Sequence, residues 1–150
     1  MSEVEFRVYG KPEPKGSHRP VGSSSRDPRK RGRCICVDTN ANALRKWERA
    51  IVDAAFVAGI RVEANRFLWI GPVAAFLTFY MPRPESLPLF EGVLLHQKKP
   101  DIDKLCRAVL DALSGLVYVD DSQVAAVTAA KYYEVPGDSA GVRVHVRQLT

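Results

Sequence analysis

Residues Lys98 to Gln123 read K-K-P-D-I-D-K-L-C-R-A-V-L-D-A-L-S-G-L-V-Y-V-D-D-S-Q. Leu105, Ala108, Val109, Ala112 and Leu113 recur at the spacing of a helix with one buried stripe. Pro100 biases Lys99 away from helical angles and marks the start; Ser114-Gly115 marks the end. Asp101 and Asp103 stand at the front, Asp120 and Asp121 beyond the back. Within one continuous helix Asp101 and Asp103 would point about 200° apart. They converge only if Asp101 projects from outside the first turn. Asp103 and Arg107 share a face, and Asp111 lies one turn further along it. Clustered carboxylates raise one another's pKa unless a cation lies between them. Oxygen donors of this kind select Mg²⁺, or Mn²⁺ in its place, over zinc. Such an ion activates a water and stabilises charge on a scissile phosphate, and Arg107 or Lys104 can contact that phosphate. Each acid also has a plainer use: Asp101 as a helix cap, Asp120-Asp121 as a turn, Asp111 as a partner of Arg107 or of solvent. Asp111 is therefore left out of the catalytic set.

Outward from this stretch the chain alternates strands and helices. Val4, Phe6 and Val8 alternate with polar residues, the pattern of a half-buried strand. Cys34 to Val37 suits a short strand, and Asp38 or Thr39 is placed to cap a helix from Asn40 to about Ala58, stopped by Gly59. Val73 to Met81 is apolar almost throughout, as in a central strand covered on both faces. Pro82, Pro84 and Pro88 exclude regular structure before Lys98. Gln123 to Tyr133 reads as a strand. Val142, Val144 and Val146 read as a last one, paired with it in a hairpin around Pro136-Gly137-Asp138. The expected fold class is α/β (α+β): one small domain over residues 1–150, with a mixed sheet of four to five strands and two main helices.

The net charge of +5 is concentrated. Residues 11–33 hold eight Lys/Arg against two acids, and the remaining residues are close to neutral. That segment is rich in Pro, Gly and Ser and lacks apolar periodicity, so it reads as a mobile loop. Lys11, Lys15, Arg19, Arg29, Lys30, Arg31 and Arg33, with Lys104 on the helix, are the candidate phosphate contacts for DNA. His18 receives no catalytic role. Three cysteines, Cys34, Cys36 and Cys106, suit free thiols in a reducing compartment. The start of the chain has no basic-then-apolar leader, and no apolar run reaches about 18 residues. A cytoplasmic protein without a membrane span is expected.

K-P-D-I-D-K-L-C-R-A-V-L-D-A-L followed by V-D-D-S-Q-V resembles the RusA family of Holliday-junction resolvases, whose pattern is D-x-D-N-x-x-K and then D-D-x-Q. V-Y-G-K-P-E-P-K-G-S-H-R-P resembles the family's first strand and basic loop. The resemblance implies a homodimer that uses Mg²⁺ to nick two strands of a four-way junction in DNA recombination or repair, and it makes a phage origin plausible. By matched position, Asp101, Asp103 and Asp121 are the metal-binding catalytic acids with Asp120 beside them. Arg107 stands where the family has a catalytic lysine, and Lys104 where it often has asparagine. Arginine keeps the charge but cannot donate a proton near neutral pH. A branched-DNA binder of broad specificity, or one without catalysis, is the alternative.

Overall fold

The computed structural model describes residues 3–16, 18–23, 34–38, 40–60, 68–88 and 92–150, with only the backbone of 18–23 and 34–38. Its main sheet has four strands: β1 (Glu3–Tyr9), β4 (Val73–Met81), β5 (Val124–Tyr133) and β6 (Gly141–Gln148). A separate pair joins β2 (His18–Ser23) to β3 (Cys34–Asp38), antiparallel. The segment expected to be one loop therefore contains a strand, recruited by pairing with Cys34–Asp38. An irregularity between Pro20 and Gly22 interrupts the ladder where proline offers no donor. Residues 24–33 lie outside the described residues.

The order in the main sheet is β1-β6-β4-β5. β6 is antiparallel to β1 and β4, whereas β4 and β5 are parallel. The expected β5–β6 hairpin does not form. β4, apolar nearly throughout, lies inside the sheet, and Val142, Val144 and Val146 of β6 pair with Phe79, Leu77 and Ala75 on the same face at no exposure. β5 is left at the edge. A parallel pair needs a crossover, and the helix α2 (Ile102–Leu113) supplies it between β4 and β5.

Helix α1 (Ala41–Val57) and α2 pack on one face of the sheet. Leu44, Trp47, Ile51 and Ala55 of α1 join Leu105, Ala108, Val109 and Leu113 of α2 and the alternating Val73, Ala75, Leu77, Phe79 and Met81 of β4 in one core. Burying each large aliphatic side chain is worth about 1.5–3 kcal/mol. Among the described residues no helix lies over the other face of β4. Phe76, Thr78 and Tyr80 are half-buried there, beneath Arg147 over the Phe76 ring (5.8 Å) and Arg7 over the Tyr80 ring (4.3 Å). Neighbouring rings cover this face too, His145 stacked on Phe76 (5.3 Å) and Tyr132 tilted against Tyr80 (6.3 Å), so the second face is covered by side chains of the sheet itself.

Asn40, not Asp38 or Thr39, stands at the cap of α1, and its side chain does not cap. Its Nδ2 instead donates to Glu13 Oε2 (3.2 Å) and the Pro14 carbonyl (3.1 Å), tying the strand-exit segment to the helix. Gly59 at φ +92° ends α1 as expected. No helix among the described residues is long and apolar enough to cross a membrane.

Candidate active site

The first acid is placed by the chain before α2. Asp101 is in extended backbone (φ −70°, ψ 140°), outside the helix, and its carbonyl accepts from Leu105 N. The approach, with a cis Lys99-Pro100 peptide, is fixed by Lys131 of β5. Its Nζ donates to the Lys98 and Pro100 carbonyls, both at 2.6 Å. Asp101 and Asp103 are both exposed, and Asp101 Oδ2 lies 3.7 Å from Lys104 Nζ. Asp103 also helps hold the Cys106 thiol at about 11, behind the larger effect of burial.

The second pair is placed by a turn that doubles back on α2. Gly115 at φ +73° permits it, and Gly115 N donates to the Tyr118 carbonyl at 2.8 Å. Tyr118 is fully buried with its hydroxyl on the Leu110 carbonyl (2.8 Å). Burial first, then Asp121 and Asp111, push that phenol upward. Asp120 and Gln123 then make a reciprocal cap around the short 3₁₀ turn Asp121–Gln123. Asp120 Oδ1 accepts from Ser122 N (2.9 Å). Gln123 Oε1 accepts from Val119 N (2.8 Å) and Asp120 N (3.0 Å). Gln123 Nε2 donates to the Trp69 and Gly71 carbonyls, anchoring the turn to the sheet. Asp120 is thus spent on the backbone, and its hydrogen bonds to Ser122 hold its pKa low.

The consequence is that Asp121 meets the last turns of α2. Its carboxyl lies within hydrogen-bonding reach of Asp111. That contact, ahead of slight desolvation and the charges of Asp111 and Asp120, raises its pKa, while Arg107 pulls it down. Asp111 is held by Lys15, whose Nζ is 2.5 Å from Asp111 Oδ2 and 3.4 Å from Glu48 Oε1. Burial opposes the charge on Lys15, but the bond to Asp111 prevails and its pKa rises. The same segment crosses α2 directly: Lys15 N donates to the Lys104 carbonyl (3.0 Å), and a Cβ at Gly16 would lie 3.6 Å from Arg107 Nη1.

The structure therefore joins Asp111, Asp121, Arg107 and Lys15. It keeps Asp101 and Asp103 toward the other end of a helix that rises about 1.5 Å per residue. Among the described residues no group of three or more acids, histidines or cysteines stands close enough to hold a metal. Asp111, set aside on sequence grounds, is the carboxylate that Asp121 faces. Its signal was its place on the Asp103–Arg107 face. Gln123 was also missed as a positioning residue, although Asp120-x-x-Gln123 is a capping-box spacing. Of the candidate DNA contacts, Lys15 is committed to acids. Lys11 (66% exposed side chain) is only loosely set against Glu13 at 3.9 Å. The side chain of Arg19, and Arg29, Lys30, Arg31 and Arg33, lie outside the described residues, as do the side chains of His18, Cys34 and Cys36.

Residues 13–147 match the family Endodeoxyribonuclease RusA. The chain belongs to the RusA family. Along its full length it is also 30% identical to the uncharacterized protein YqaN of Bacillus subtilis (strain 168), covering 99% of that protein. RusA membership makes this an endodeoxyribonuclease fold whose family acts on branched DNA, generally with a divalent metal. The all-oxygen donor chemistry suits such an ion, although the pair is only two carboxylates and Lys15 already brings positive charge to Asp111.

Proposed function

We propose that this RusA-family protein is an Mg²⁺-dependent endonuclease, with Mn²⁺ as a substitute, that resolves four-way DNA junctions by paired symmetric nicks. One observation carries the reading. Asp121 and Asp111 sit carboxyl to carboxyl beside two cations, Arg107 and Lys15, at the surface of α2. Two carboxylates in contact at neutral pH attract cations: Lys15 and Arg107 offset part of the charge, and a metal ion would offset the rest. Asp121 and Asp111 would hold the ion, and Asp101 and Asp103 stand apart from them toward the start of α2. The bound metal would supply an activated water and neutralise charge on the phosphate. Arg107 orients the phosphate as a fixed positive fork. Gln123 and Asp120 keep the acid turn in place, and Lys15 orients Asp111. Lys11, Lys104 and the basic segment through Arg33 attract the DNA backbone.

Two nicks require two sites, and a two-fold homodimer provides them. The outer edge of β5 supports pairing between copies. Residues 94–96 cover its end at Lys131 and Tyr133, while Val124–Ala130, with neither charge nor proline, gain no further strand partner among the described residues.

The test is an end-labelled four-way junction incubated with protein and Mg²⁺ or Mn²⁺. Symmetric paired nicks are expected, and none in EDTA. Binding without cleavage in both metals overturns the nuclease reading and leaves a branched-DNA binder. Joint neutralisation of Arg29, Lys30, Arg31 and Arg33 is expected to flatten the salt dependence of binding.

A further inference from the structure

A cleft of about 360 Å³ opens where α2 begins, bordered by Asp101 and separate from the Asp111–Asp121 pair. Its size is in the range of small-molecule sites, about 300–1,000 Å³. Its lining is of four kinds, one of them acidic: the carboxylates of Glu13 and Asp101 share the cleft with the groups that follow. Lys11, Lys99 and Lys104 bring positive charge. Lys11 and Lys104 hold their acids at only 3.9 and 3.7 Å, and Lys99 makes no ion pair among the described residues. Pro12, Pro14 and Pro100 supply flat apolar walls. Asn40 supplies an acceptor: both groups its Nδ2 meets are themselves acceptors, so the amide can face only one way. Its Oδ1 is then buried with no donor among the described residues. A buried acceptor of this kind is unfavourable until an N–H reaches it.

Cations for a phosphate, flat walls for a ring and an acceptor for an amino group together describe a nucleotide. We propose that this cleft takes one unstacked nucleotide of the DNA strand, phosphate among the lysines and base between the prolines, with its amino group toward Asn40. The inference rests on the nuclease reading for its purpose. A nucleotide held against Asp101, at the other end of α2 from the Asp111–Asp121 pair, sets which phosphate reaches that pair. Branch points suit it, because unpaired bases leave the stack at least cost. Bases with an exocyclic amino group, such as cytosine or adenine, are favoured over thymine, whose one ring N–H lies between two carbonyl oxygens that would face the Asn40 acceptor.

The experiment is a ¹⁵N–¹H NMR titration of the full chain, without divalent metal, using deoxycytidine monophosphate, thymidine monophosphate and inorganic phosphate. The cytidine nucleotide is expected to shift the amides of Lys11, Asn40, Lys99 and Lys104, at lower concentration than either competitor. Lys99→Ala is expected to weaken that response, and to lower the salt slope of junction binding by about one. An equal response to phosphate alone overturns the nucleotide reading, and shifts elsewhere or none overturn the site. The outcome is independent of cleavage. Wild-type protein that fills the cleft but cuts no branched DNA sinks the nuclease reading alone. A protein that cuts but ignores the nucleotide sinks only this inference.

Discussion

At the front of α2, Asp101 and Asp103 are exposed, and among the described residues the cation paired with Asp101 is 3.7 Å away on a side chain one turn along. At the back, Asp111 has an ammonium at 2.5 Å and faces Asp121 carboxyl to carboxyl. The residue type is the same at both ends, and the surroundings are opposite. The front acids are placed by one strand's lysine holding a loop. The back acids are placed by a buried tyrosine, a reciprocal cap and a lysine joining three segments. Preorganisation of this kind is what distinguishes a site from a charged surface.

The strongest break of the contrast is Asp121→Asn. It is expected to abolish junction cleavage while leaving binding intact or tighter, because a charge facing phosphate is removed. Gel-shift and cleavage assays on one preparation check it, and retained cutting would strip the back pair of its role. Next, Lys15→Met is expected to lower cleavage about 10- to 100-fold, the usual cost of losing a group that orients a ligand. Terbium luminescence should report weaker ion binding in parallel, and Lys15→Arg should recover part of both. A Lys15→Met variant with wild-type ion binding would make the lysine merely structural.

A pH experiment sharpens the comparison further. Asp121 has a raised pKa chiefly because of Asp111, so in the window just above the ordinary carboxylate value the folded state binds more protons than the unfolded. Stability from this group is therefore greatest at low pH and declines as pH rises through the folded pKa. In Asp111→Asn that part of the slope is expected to vanish, as read by urea unfolding at several pH values and by carboxyl ¹³C titration. The smallest effect belongs to the front. Lys104→Gln breaks only an exposed pair and should change stability by less than about 0.5 kcal/mol. A larger loss in urea unfolding would mean that the front is as well organised as the back.

Much of this was legible in the sequence. The periodicity of Leu105, Ala108, Val109 and Leu113 located α2, and Pro100 placed Asp101 outside it, because both are local effects of the chain on itself. The β5–β6 hairpin was misjudged because adjacency in sequence cannot show that β4 lies between two strands. Asp111 escaped for a similar reason. Its partners arrive from a loop near the start of the chain and from a turn beyond the helix. Spacing within one helix carries no information about either. Gln123 was readable, since a capping box is a local rule, but its bonds to Trp69 and Gly71 were not.

Lys131 has a consequence for how Asp101 is located. One ammonium on the edge strand fastens both carbonyls that flank Lys99. Asp101 is therefore indexed to the register of β5 against β4. A slip of one residue along that strand is about 3.3 Å, more than the length of a hydrogen bond, and would carry the first acid out of alignment while every turn of α2 stayed intact. The sheet acts as the ruler against which the acid is set.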